Sequence, residues 1–146
     1  MSESPTSATV LRAHAEDAYA AELAALAASD DRPRPPRWRL SPWAVTTYLL
    51  GGTLDDGTEI TPKYLGSRRL MEVAVASLAT DRALLLLGVP GTAKTWVGEH
   101  LAAAVSGSSK LVVQGTAGTP EESLRYGWNY ARPLAQGPTR AALVPR

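Results

Sequence analysis

Residues 84–105 read LLLLGVPGTAKTWVGEHLAAAV: four leucines, a turn of small residues, then Lys94-Thr95 opening a run of helix-forming residues. Arg82–Leu87 is short, continuously apolar and bounded by polar or turn residues, the pattern of a strand buried on both faces of a parallel sheet. Gly88, Val89, Pro90, Gly91, Thr92, Ala93, Lys94 and Thr95 follow at once. From Lys94 to Val105 the alanines favour helix, with Val97, Leu101, Ala104 and Val105 available to face a sheet. Strand, loop and helix in that order suit a bound phosphate. Backbone N–H groups at a helix start are unpaired, and the helix dipole there favours negative charge. Gly88 and Gly91 allow the close turn, Lys94 supplies an ammonium that can follow the β- and γ-phosphates, and the Thr95 hydroxyl is placed to coordinate Mg²⁺. The pattern GxxxxGK[ST] is met at Gly88, Lys94 and Thr95 and departs from glycine at Ala93. At negative φ an alanine fits there without strain; at positive φ it costs about 1 kcal/mol. The plainer alternative, a Gly-Pro connector with a surface lysine, does not explain why loop, lysine, hydroxyl and context coincide.

The rest of the composition bounds the function. A chain of 146 residues with 45% hydrophobic content has the size and make-up of one ordinary soluble domain. Fifteen basic residues against fourteen acidic ones leave a charge of +1, which gives no field for capturing nucleic acid or an anionic membrane. The absence of cysteine excludes disulfides and thiolate metal sites. Met1–Val10 lacks the basic start and apolar core of a signal peptide, and no apolar run approaches the ~20 residues that span a bilayer. The expected location is cytoplasmic.

Upstream of the loop the chain divides into short segments. Met1–Ser7 is small and polar and is expected to be disordered. Ala8–Ala28 is alanine-rich, with Leu11, Ala15, Tyr19, Leu23 and Leu26 near helical spacing. Its modest apolar area predicts a surface helix or docking arm. In DDRPRPPRWR the prolines Pro33, Pro35 and Pro36 forbid regular structure, and a solvated connector is preferred over a nucleic-acid stripe. Ser41-Pro42 before WAVTTYLLGG predicts a short helix capped by Ser41 and ended by Gly51. Asp56-Gly57 within Thr53–Ile60 signals a hairpin. Ser67–Ala79 predicts a helix with Leu70, Val73, Ala74 and Leu78 on its apolar face.

GVPGTAKT after LLLL resembles the Walker A loop of the MoxR/RavA branch of AAA+ ATPases, in which alanine before the lysine is common. Pro62-Lys63-Tyr64-Leu65-Gly66 and the helix after it stand where such proteins line the adenine pocket, so the resemblance implies a role for Tyr64 and Leu65. Small P-loop kinases have no such preceding unit. Downstream, LVVQGTAGTPEES resembles the second strand and following turn of RavA-like proteins, with Thr119 as N-cap, Pro120 at the first helical position and Glu122 closing a capping box. The resemblance covers roughly Tyr64–Arg125 and reaches more weakly to Trp38.

It implies an α/β fold, the N-terminal part of a three-layer αβα P-loop domain with parallel strands, preceded by an α-helical arm. Residues 1–37 would be arm and linker, and 38–146 a partial nucleotide-binding domain. It implies ATP and Mg²⁺ as cofactors, a homo-oligomeric ring, usually a hexamer, and remodelling of protein partners, often with a von Willebrand A-domain protein; neither nucleic acid nor membrane is an expected partner. Hydrolysis in this class needs an acidic strand and a neighbour's arginine. No apolar run after Leu111–Gln114 ends in Asp-Glu, and Glu121-Glu122 fits a helix start. The sequence is therefore expected to stop before the hydrolytic half, with an apolar face left uncovered and marginal stability in isolation. A non-catalytic nucleotide-binding or assembly module is the alternative. His14 and His100 lie too far apart in sequence to suggest a metal pair, and His100 is expected on a helix surface. The alternation of Tyr126, Trp128 and Tyr130 is expected in a strand rather than in a stacking site.

Overall fold

The computed structural model of the chain describes residues 12–113, 115, 118, 126–128 and 143–145. Met1–Ser7, the Thr119, Pro120 and Glu122 cap and Tyr130 lie outside them. The chain divides into two compact units, Met1–Lys110 and Leu111–Arg146.

In the first unit, α1 (Ala15–Ala18) and α2 (Ala20–Ser29) are followed by an irregular proline-rich segment and then by α3 (Pro42–Leu50). The start of α3 is written in its first two residues. Ser41 is extended, at φ −68 and ψ 161, and its hydroxyl accepts the Ala44 N–H at 3.2 Å. Pro42 occupies the first turn, where its missing N–H costs nothing. Gly51 closes the helix at φ 77. A short antiparallel hairpin follows, β1 (Gly52–Thr53) against β2 (Glu59–Ile60), with Gly52 opposite Ile60 and Thr53 opposite Glu59. The Asp56 carboxylate accepts the Thr58 N–H at 2.8 Å within its turn. Next come α4 (Arg68–Ala79) and α5 (Lys94–Ser106).

The core lies among these helices. Leu23 and Leu26 of α2 are buried with Tyr48 and Leu49 of α3, Met71 and Val75 of α4, and Val97 and Leu101 of α5. The expectation of a surface helix is thereby corrected. The alanines of α2 let it lie close to α3, and its two leucines fill the space between, each contributing roughly 1.5–3 kcal/mol of burial.

The arginine-proline connector is bound rather than merely solvated. Arg34 donates to the Asp30 and Arg39 carbonyls, both at 2.8 Å, and Arg32 lies 3.7 Å from the centre of the Trp43 ring. The buried Asp30 carboxylate accepts the N–H and the hydroxyl of Ser41, each at 2.8 Å, tying the end of α2 to the start of α3.

Two further expectations change. The face of α4 that enters the core carries Met71, Ala74 and Val75, whereas Leu70 and Val73 are half exposed. The helix is rotated toward α3, on which it packs. His100 is 1% exposed instead of on the surface.

The parallel sheet is not seen among the described residues, whose strands are all antiparallel. Residues 82–89 form no strand ladder. Leu84 and Leu86 pack against the core, while Leu85 and Leu87 are 78% and 83% exposed. The two-residue alternation is that of an extended chain with one face covered. Burial of both faces would require neighbouring strands and a second layer.

In the second unit, β3 (Tyr126–Trp128) pairs antiparallel with β4 (Leu143–Pro145), Gly127 standing opposite Val144. Tyr126 and Trp128 thus lie on a strand, as their alternation predicts. Leu111–Val113 carry no strand pairing, and Gln114 lies outside the described residues.

Candidate functional site

The loop between Leu87 and α5 is organised around one ammonium group. Lys94 Nζ donates to the Gly88 carbonyl at 2.9 Å, the Val89 carbonyl at 2.6 Å and the Thr92 hydroxyl at 3.1 Å. The Thr92 hydroxyl also donates to the Val89 carbonyl at 2.8 Å. Lysine and threonine therefore hold the loop in a closed curl, with positive charge at its centre. The curl depends on small residues. A Cβ on Gly88 would stand 3.0 Å from Thr92 Oγ1 and 3.9 Å from Lys94 Nζ, and Gly91 turns the chain at φ 84.

Ala93 is the N-cap of α5 at φ 57 and ψ 23, in the left-handed region. Of the two alternatives open from sequence, the strained one holds. The methyl stands where glycine would be free of the Cβ clash, at a cost of about 1 kcal/mol. With alanine as the cap residue and no acid in the first turn of α5, no side chain among the described residues engages the N–H donors there. Those donors and the helix dipole favour an anion. Thr95 lies exposed on that first turn. No cluster of three or more His, Asp or Glu side chains suited to a metal ion occurs among the described residues. A cation at the Thr95 hydroxyl would take its other ligands from the bound phosphate and water.

Beside the loop opens a cleft of about 190 Å³, bordered by Gly88, Thr92 and Lys94 and walled by Tyr64, Leu70 and Met71. This is below the ~300–1,000 Å³ of sites that enclose a whole drug-sized ligand. Its far wall is largely apolar, and its loop end carries the lysine. The structure thus brings Tyr64 to the same cleft as Gly88, Thr92 and Lys94. Leu65 does not join them: it is 90% exposed and outside the cleft lining. Val89, Pro90, Gly91 and Ala93 shape the loop from its exposed side. The Tyr64 ring crosses Gly66 so closely that a Cβ there would come within 2.4 Å of it.

Trp96 and Glu22, to which the sequence pattern gave no role, help connect this cleft to the core. The Trp96 indole N–H, from the first turn of α5, donates to the Lys63 carbonyl at 2.8 Å. The Lys63 and Tyr64 N–H groups donate to the Leu49 carbonyl at 2.8 and 2.9 Å. The Lys63 side chain is buried, forms an ion pair with Glu22 of α2, and lies 4.4 and 4.7 Å from the Tyr19 and Tyr48 ring centres. Burial lowers its pKa, opposed by the Glu22 carboxylate. His100 shares a 2.9 Å hydrogen bond with the Tyr48 hydroxyl through Nδ1 and packs against Trp96. Burial brings the His100 pKa down to about 4. Burial also raises that of Tyr48. Trp96 had a local signal, two residues after Lys94. Glu22 had none, because its partners are 39 and 41 residues away.

Residues 83–145 match the AAA domain (dynein-related subfamily). The match begins at Ala83, immediately before the leucines, and takes in the whole loop. The chain is 43% identical over 142 residues to "Uncharacterized protein YehL" of Escherichia coli (strain K12). That alignment takes in 97% of this chain and 38% of the relative, so the chain spans well under half of the relative's length. No solved structure matches the chain.

Proposed function

We propose that Gly88–Thr95 bind the phosphates of ATP, with Lys94 as the cation on the β- and γ-phosphates, Thr95 as a ligand of the accompanying Mg²⁺, and Tyr64 on the base side of the cleft. Val89, Pro90, Gly91, Thr92 and Ala93 present the loop backbone. The observation that carries this reading is the clasp of Lys94 Nζ by Gly88, Val89 and Thr92 beside a cleft that Tyr64 walls. An entering phosphate would find the ammonium already in place. It would exchange neutral carbonyl partners for anionic oxygens, which make stronger hydrogen bonds.

In a complete protein this site would serve a MoxR-type AAA+ ATPase that assembles as a ring, usually of six, in the cytoplasm. ATP hydrolysis there would drive remodelling or maturation of protein partners, a von Willebrand A-domain protein among them. That finer reading rests on the resemblance of GVPGTAKT to the MoxR/RavA loop.

Lys94→Ala tests the reading. Loss of a charge-assisted contact of ~1.5–3 kcal/mol lowers ATP affinity by roughly 10- to 100-fold, measured by calorimetric titration. Equal affinity in wild type and variant would overturn the assignment.

A further inference from the structure

Glu22 stands on α2, far in sequence from the loop, yet both of its carboxylate oxygens are directed at the segment that ends in Tyr64. One accepts the Thr61 N–H at 3.1 Å and is the oxygen paired with Lys63 Nζ; the other accepts the Thr61 hydroxyl at 2.8 Å. Lys63 Nζ donates in addition to the Thr61 carbonyl at 2.6 Å and to the Thr61 hydroxyl at 2.9 Å, closing a compact polar knot. From the opposite side, Trp96 of α5 holds the Lys63 carbonyl. The segment 61–63 is therefore pinned between the N-terminal helix and the helix that follows the phosphate loop, and the next residue is the Tyr64 wall of the cleft.

We infer that Glu22 is a positioning residue of the nucleotide site, setting the base-side wall at Tyr64 through Thr61 and Lys63, so that the N-terminal helix is part of the nucleotide-binding apparatus. The inference rests on the nucleotide reading above. Glu22 does not touch the cleft. Its effect is on the wall and not on the loop, whose closure depends on Lys94 and Thr92. The phosphate-binding end is accordingly independent of Glu22, and the base-binding end is not.

The test compares ADP with inorganic tripolyphosphate, which carries phosphates and no base. Both are titrated against wild type, Glu22→Gln, Thr61→Val and Lys94→Ala, with thermal melting to establish that each variant is folded. Glu22→Gln is expected to weaken ADP by about fivefold or more while leaving tripolyphosphate within about twofold. Because Glu22→Gln leaves the buried Lys63 without its counter-charge and endangers folding, Thr61→Val serves as the second variant. It keeps the ion pair and removes the Thr61 hydroxyl with its bonds to Glu22 and Lys63, with a smaller loss in the same ADP-selective direction. ADP affinity unchanged in a folded Glu22→Gln, or in Thr61→Val where Glu22→Gln does not fold, overturns the inference. So does a loss shared equally by both ligands, which would mean a general effect on the fold. Wild type that binds neither ligand, or Lys94→Ala that binds both normally, overturns instead the nucleotide reading on which the inference stands.

Discussion

At the scale of single residues, Ala93 shows what a sequence pattern leaves open: both a relaxed and a strained alanine fit the pattern, and φ 57 selects the strained one. The order of Gly88, Lys94 and Thr95 is legible because each residue type answers a chemical need of a phosphate. The backbone angle at Ala93 is not, because it is set by how the loop meets α5. At φ 57 the alanine Cβ crowds its own backbone, and the cost, about 1 kcal/mol, exceeds what alanine gains by restricting the unfolded chain. Ala93→Gly is therefore expected to stabilise the protein by a few tenths of a kcal/mol, read as a small rise in the midpoint of denaturant unfolding at unchanged slope. A lowered midpoint would mean that the methyl makes a contact worth more than the strain. Tyr64 and Leu65 make the complementary point. Adjacent in sequence and expected together at the base, they separate in the structure: the Tyr64 ring lies over Gly66 and lines the cleft, and Leu65 points to solvent.

At the scale of elements, what was legible is what is locally determined. The helix α3 follows from Ser41, Pro42 and Gly51, the hairpin from Asp56-Gly57, and α5 from its alanines and the Lys94-Thr95 start. What was misread depends on partners distant in sequence. The face of α4 is fixed by α3, the burial of Leu23 and Leu26 by the core that α2 completes, and the burial of His100 by Tyr48, 52 residues earlier. Nothing near His100 in the chain distinguishes it from a surface residue. Tyr19, between α1 and α2, and Tyr48 of α3 crowd it, Trp96 packs at a tilt from its own helix, and Lys63 and Arg12 add positive charge that Glu99 and Glu22 oppose. The folded protein holds the imidazole neutral, with a pKa near 4 against 6.5 for the free side chain. Between those values the unfolded chain binds more protons than the folded one. The stability His100 contributes is thus fully present above pH 6.5 and is lost as pH falls from 6.5 toward 4, by roughly 3 kcal/mol across the window. His100→Gln keeps a polar partner for Tyr48 but does not titrate. Its unfolding free energy is expected to vary less steeply with pH over this window than that of wild type, measured by urea unfolding at several pH values. Parallel curves would show that the imidazole is not the titrating group.

At the scale of the whole molecule, binding and hydrolysis make different demands. Binding phosphate asks for a curl of backbone, a lysine and a hydroxyl, all within Gly88–Thr95 and held together by bonds internal to the loop. On the proposed reading the base would lie against Tyr64, which lines the cleft beside the loop in the same compact unit. Hydrolysis asks in addition for a carboxylate that polarises water opposite the γ-phosphate and for a cation that neutralises the charge developing there. Within these 146 residues Asp81 is the nearest acid before the loop in sequence and Glu99 the nearest after it. Glu99 is engaged away from the loop, accepting the Ala15 N–H at 3.2 Å and pairing with Arg12. Asp81 follows the end of α4, its N–H bonded to the Leu78 carbonyl, before an extended stretch of leucines that carries no acid. The chain of 146 residues is expected to take up ATP in a Lys94-dependent manner and to release phosphate from it at the rate of a protein-free control. A sensitive phosphate-release assay on wild type and Lys94→Ala side by side decides the matter: equal background release supports the division of labour. Release that requires Lys94 would mean that a residue within these 146 already polarises the water, and would place the hydrolytic carboxylate in this chain.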